Sequence, residues 1–173
     1  MRYISKHMSL EQATAEWDGK SADEIHKTFK RHQQDDNFVE CLIDMLRFPN
    51  TQKGASWQLK AFLEQDGTIS ADQVSQIYNL LSELKDWESR LHILQSMPYM
   101  PIAKGSTAAV EAFLRSGMQD KNKFVRAWSY NGFSLLGSQH QTYAAEANQL
   151  LKEAMIHEAP SVKARIRNIL KAK

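Results

Sequence analysis

Histidine, cysteine and paired carboxylates are the residues through which a chain of this kind could do chemistry. The six histidines stand at positions 7, 26, 32, 92, 140 and 157. None has a second histidine three or four residues on, the spacing that sets two imidazoles on one helix face to grip zinc. His26 and His32 are six residues apart and would lie on different faces. Cys41 is the single cysteine, which excludes an internal disulfide, a redox pair and a four-thiolate zinc site. It sits in the apolar run Phe38-Val39-Glu40-Cys41-Leu42-Ile43 and reads as a small core residue. Asp35 and Asp36 are neighbours and cannot face each other across a helix, so they read as a solvated turn. No glycine-rich phosphate loop and no Gly-x-Ser-x-Gly elbow occurs. The sequence therefore offers no catalytic constellation, no metal site and no cofactor site.

Aromatic and basic residues carry more information. Trp57, Trp87 and Trp128 recur at intervals, and two readings stand side by side: a platform on which bases could stack, or indoles that fill the core between helices. Basic charge gathers at one end. Residues 1–68 hold 9 Lys/Arg against 11 Asp/Glu, residues 69–118 hold 4 against 5, and residues 119–173 hold 9 against 4, within a net charge of +2. Such an end could attract an acidic peptide, a protein surface or a nucleic-acid backbone. Equally, Arg126 and its equivalents could bridge neighbouring units through residues such as Asp120.

The elements that must position these side chains are helices. Ala (18) and Leu (16) abound among 173 residues while Val contributes 5 and Gly plus Pro only 11, a helix-forming composition that argues against a sandwich or a parallel sheet. Ser9 to about Trp17 forms a first helix. Ser21-Ala22-Asp23-Glu24 and Ser70-Ala71-Asp72-Gln73 are capping boxes. Phe38, Leu42, Met45 and Leu46 share one face and stop before Pro49, and Asp86 caps a helix bearing Trp87, Arg90, Leu91 and Leu94. The corner Met97-Pro98-Tyr99-Met100-Pro101 reads as an exposed apolar bend. Later helices present Val110, Phe113, Leu114 and Gly117, then Val125, Trp128, Ser129 and Gly132, then Ala147, Leu150 and Leu151, then Val162, Ile166 and Ile169. Leu81, Phe113, Val125, Trp128, Leu150 and Ile166 are the expected core.

The helices pair, and the second member of each pair aligns. Ser56-Trp57-Gln58-Leu59, Glu88-Ser89-Arg90-Leu91, Phe124-Val125-Arg126-Ala127 and Ser161-Val162-Lys163-Ala164 put a polar or basic residue at 58, 90, 126 and 163, at spacings of 32, 36 and 37. A period near ~35 with two helices per unit is what a helical solenoid produces, because one pair alone cannot bury its apolar face. In these residues the chain resembles the HEAT/armadillo-like repeat families. Asp120-Lys121-Asn122-Lys123-Phe124-Val125-Arg126, with the small Ser129 three further on, looks like the turn and second helix of a HEAT unit, and Ala159-Pro160-Ser161-Val162-Lys163 is similar with Lys in place of Arg. The likeness covers roughly residues 37–173, and the first unit departs from it, with Trp57-Gln58 for the Val-Arg pair.

The resemblance implies an all-α, right-handed HEAT-like α-solenoid of about four antiparallel helix pairs: a single domain over 1–173, with cap helices in 1–36 and repeats at 37–68, 69–105, 106–141 and 142–173. It implies a macromolecular binding scaffold, a protein–protein adaptor whose second helices line a concave face. The alternative is nucleic-acid binding through the basic C-terminal face, since the DNA-alkylation-repair glycosylases are HEAT-like too, although no position here matches their catalytic carboxylate. Arg90, Lys123, Arg126, Tyr130, Lys163 and Arg167 are the residues expected to bind. Met1-Arg2-Tyr3-Ile4-Ser5-Lys6 lacks a signal peptide's apolar stretch, and no run approaches the ~20 apolar residues of a membrane span, so a cytoplasmic protein without membrane association is expected.

Overall fold

The computed structural model describes residues 8–172; the charged start, His7 and Lys173 lie outside the described residues. Among those residues there is no strand, and ten α-helices follow one another: α1 Leu10–Glu16, α2 Ala22–His32, α3 Phe38–Met45, α4 Pro49–Glu64, α5 Ala71–Asn79, α6 Trp87–Ser96, α7 Thr107–Met118, α8 Lys123–Gln139, α9 Ala144–His157 and α10 Pro160–Lys171. None is long and apolar enough to cross a membrane.

Local sequence sets most of the boundaries. Ser70 Oγ accepts the Gln73 N–H at 3.2 Å while Gln73 Oε1 accepts the Ser70 N–H at 2.8 Å, and Ser9 with Gln12 forms the same reciprocal pair, each satisfying amides that a helix start leaves open. The box expected at Ser21 is only half made. Ser21 Oγ caps Glu24, but the Ser21 N–H already donates to Asp18 Oδ1 at 2.8 Å, so Glu24 is not needed in return. Asp86 and Asn122 cap α6 and α8. Pro49 and Pro160 each occupy a helix's first position, where a missing N–H costs nothing.

The even-numbered helices touch in succession, α2 with α4, α4 with α6, α6 with α8 and α8 with α10, while α1, α3, α5 and α7 do likewise. One apolar core runs from Leu10 to Ala147, and a smaller one joins Ala127, Leu151, Ala154, Val162 and Ile166. The α7–α8 crossing is close: a Cβ on Gly117 would collide with Ser129 Oγ, which itself folds back on the Val125 carbonyl at 2.7 Å. Gly117 and Ser129 are small because the helix backbones meet there.

Leu81, Phe113, Val125 and Ile166 are buried as expected. Trp128 and Leu150 are not; both are half-buried against the edge of the core, and the Arg165 guanidinium lies 4.0 Å over the Trp128 ring. The corner at 97–101 also departs from expectation. Met97 and Met100 are fully buried and Tyr78 Oη donates to the Met100 carbonyl at 2.5 Å, leaving Pro98, Tyr99 and Pro101 exposed on the bend. Met97 packs beside Gly132, whose lack of a side chain makes the room.

Candidate functional site

The turns that lead into α4, α6, α8 and α10 bring most of the candidate residues together. Arg90 and Arg126 are the fourth residues of α6 and α8, and each reaches a carboxylate at the turn before the next even-numbered helix: Arg90 Nη1 to Asp120 at 2.9 Å, Arg126 Nε to Glu158 at 3.0 Å. Lys53 of α4 makes the corresponding ion pair with Glu88 at the start of α6. These three rungs correct the alignment drawn from the sequence. Gln58 is fully buried and donates from Nε2 to Thr14 Oγ1 at 3.0 Å, so it faces α1 and has no part in the series. Lys53, Arg90, Arg126 and Lys163 are spaced by 37, 36 and 37 residues, a more regular period than the one that included Gln58.

Each rung has further support. Arg90 also donates to Ser116 Oγ at 3.0 Å and lies 5.6 Å over the Phe113 ring. Arg126 donates to the Asp120 and Lys121 carbonyls at 3.0 and 3.2 Å, so Asp120 receives Arg90 through its carboxylate and Arg126 through its backbone. Tyr130 lies beside Arg126 and Glu158 in a groove with Leu150 and His157; burial, then the Glu158 charge, raises its phenol above the ordinary range. Lys163, at the next register position, donates to the Ile156 carbonyl at 3.2 Å and pairs with no carboxylate among the described residues. Lys123 and Arg167 are exposed, Lys123 with its ammonium 5.5 Å over Phe124. The geometry thus joins Arg126 to Tyr130, places Arg90 at a neighbouring rung, and leaves Lys123, Lys163 and Arg167 outside the ion-pair series.

Sequence reasoning missed a set of aromatic residues at the same turns. Phe48, Trp87 and Phe124 stand at the starts of α4, α6 and α8 with 56%, 42% and 50% of their surfaces exposed. Of the two readings of Trp87, the exposed one fits; the buried face of α6 is Ser89, Ile93, Leu94 and Ser96. A signal was present, because each follows a cation by at most a few residues: Arg47-Phe48, Lys85-Asp86-Trp87 and Lys121-Asn122-Lys123-Phe124. Trp87, Arg90, Ser116, Lys121 and Asn122 line an open groove of about 750 Å³. Arg90 and Ser116 also border a second cavity of about 470 Å³, together with Tyr78, Leu84 and Phe113.

The groups able to do acid–base or nucleophilic chemistry are structurally engaged. His92 Nδ1 meets Ser56 Oγ at 3.0 Å, and burial, helped by the Lys60 charge and opposed by Asp86, pushes its pKa down to about 4; its imidazole is neutral at physiological pH and is hydrogen-bonded to no carboxylate among the described residues. Burial and then the Glu11 carboxylate push the Cys41 thiol up to about 11, which removes the thiolate a nucleophile needs. Glu111 accepts from Tyr143 at 2.7 Å and from Arg115 at 2.7 and 2.9 Å, and these bonds hold it below its ordinary pKa as a tie between α7 and the turn before α9. Among the described residues no three His, Cys, Asp or Glu side chains are grouped to hold a metal ion. Family models, curated proteins and solved structures were compared with the chain, and none matches.

Proposed function

We propose that this chain is a right-handed HEAT-like solenoid of four helix pairs behind a helical cap, and that it serves as a scaffold for binding a protein partner. The carrying observation is the rung repeated between consecutive second helices, Lys53–Glu88, Arg90–Asp120 and Arg126–Glu158. A contact that recurs once per helix pair is the mark of an array in which each unit touches only its neighbours, and such arrays expose long surfaces suited to macromolecules. The engagement of His92, Cys41 and Glu111 in the scaffold supports binding over catalysis. Nucleic-acid binding is the second reading, favoured by the exposed Lys123, Arg167 and Lys171. It is weakened by the rungs, which neutralise Arg90 and Arg126, two of the cations on which it drew.

Affinity capture from cell extract, with and without nuclease, tests the choice. A protein-binding scaffold retains its partners after nuclease treatment and loses them only gradually as salt rises. A nucleic-acid binder releases them on digestion and shows the steep salt dependence of phosphate contacts. Lys163→Glu with Arg167→Glu reduces capture if the second-helix face near α10 is used; neither residue belongs to a rung, so the fold is retained.

A further inference from the structure

We propose that the edge formed by the turns before α2, α4, α6 and α8 is a docking surface for an extended acidic protein segment bearing large apolar side chains. The inference rests on the scaffold reading and specifies where, and by what chemistry, such a scaffold binds.

Single exposed apolar residues are ordinary on any protein surface. What is informative is their recurrence at one structural position. Phe48, Trp87 and Phe124 are exposed at the starts of α4, α6 and α8, while Trp17 is half-buried at the end of α1 with its indole N–H donating to the Ser21 carbonyl at 2.8 Å; the same turns supply Lys20, Arg47, Lys85 and Lys121. Side-chain contacts make much of the edge continuous. The Lys53 ammonium lies 5.7 Å over the Trp17 ring and also pairs with Glu88, next to Trp87; Trp87 in turn shares its groove with Lys121 and Asn122.

The carboxylates of the edge are already used by the chain itself. Asp18 accepts the Lys20 and Ser21 amides, both at 2.8 Å, and Asp86 accepts the Ser89 amide at 2.9 Å. Asp120 accepts Arg90 and the Asn122 amide, and Glu88 and Glu158 complete their rungs. Against this, Lys20 and Lys121 are exposed and form no ion pair among the described residues, and the Lys85 ammonium donates to the neutral Ser82 carbonyl; Arg47 differs, lying 3.8 Å from Asp44. The complement of this surface is therefore a segment that brings its own carboxylates and apolar groups.

Its spacing follows from packing. Helices stacked side by side lie roughly 8–10 Å apart, while an extended chain of polyproline type advances about 3.1 Å per residue with about three residues per turn, so that every third side chain faces the same way. Successive turns thus meet every third residue of an extended segment. A nucleic-acid strand fits less well, since a few separated lysines neutralise few phosphates and affinity for such a strand scales with the number neutralised.

Fluorescence anisotropy with the full chain tests this, using fluorescein-labelled peptides. The probe repeats Glu-Leu-Ser, so that acidic and apolar groups each recur every third residue. A Gln-Leu-Ser repeat, a scrambled peptide and an oligo-dT strand are its comparators. The Glu-Leu-Ser peptide is expected to bind, and the Gln-Leu-Ser and scrambled peptides to bind about tenfold more weakly. Trp87→Ala with Phe124→Ala, and separately Lys121→Glu with Lys123→Glu, each cost about tenfold or more, the loss typical of central contacts in an interface. The lysine pair is fully on the surface, so its result stands even where the aromatic pair disturbs folding. No binding of the Glu-Leu-Ser peptide, equal affinity in both double variants, or tighter binding of oligo-dT overturns the proposal. If extract partners survive nuclease and are retained by both edge variants, the scaffold reading stands and this edge is not its surface.

Discussion

The joint between α4 and α6 and the joint between α8 and α10 share a rung but are filled differently. At the first, Lys53–Glu88 is backed by buried polar side chains: Gln52 Nε2 donates to the Glu83 carbonyl at 2.8 Å while its Oε1 accepts the Lys85 amide at 3.2 Å, and Ser56 meets His92. Leu59, Ile93 and Leu94 there belong to the large core. At the last joint, Arg126–Glu158 stands over a cluster of only five buried residues, and Arg165 on Trp128 closes its surface. Directional bonds in the first joint hold two helices in one register. The last depends on a small apolar cluster and charges near solvent, so it is the weaker of the two joints.

Truncation on either side should expose the difference. Ile93→Ala is expected to cost about 3–5 kcal/mol and to lower a single cooperative urea transition, because the large core unfolds as a unit. Ile166→Ala should cost about 2–3 kcal/mol, and hydrogen exchange should show protection lost first in α10 with α4 little changed. Equal loss of protection in both helices would remove the contrast.

A pH titration sharpens the first joint. The folded-state pKa of His92 lies at about 4, below its ordinary value of 6.5, so the unfolded chain binds the proton more readily. The stability contributed by neutral His92 is complete above pH 6.5 and is lost as pH falls from there towards 4, by roughly 1–3 kcal/mol. Urea melts at pH 7 and pH 5 should show it, and His92→Gln should flatten the difference.

The smallest effect belongs to the last rung. Glu158→Gln keeps the shape but removes the charge that Arg126 grips from 3.0 and 3.1 Å. A loss of about 1–2 kcal/mol is expected, with the thermal midpoint of the variant less sensitive to added salt than that of the parent chain.

Most helix boundaries were legible because they depend on neighbours in sequence. Ser70 with Gln73, Asp86 before α6 and Pro160 at the start of α10 act within one turn of backbone, and the positions read from the sequence are the ones observed. The ion-pair alternative for Arg126 was legible too, although its partner proved to be Glu158, with Asp120 contributing a carbonyl. The exposed aromatic residues of the candidate site were not legible: Trp87 had two readings, and Phe48 and Phe124 had none. Helical periodicity states which side chains share a face, and it leaves open which face a neighbouring helix will cover.

That division has a physical basis. Composition, caps and apolar spacing act over a few residues, and by themselves they determined that the chain is all-helical and where most of its helices begin. Whether Trp87 or Ser89 turns inward, whether Met97 and Met100 are buried, and whether Lys53 or Gln58 forms the rung depended on helices about 30 to 40 residues away in sequence closing over one side of each element. Tertiary packing alone decided those outcomes, because burial and ion pairing require a partner surface that no local stretch of sequence contains.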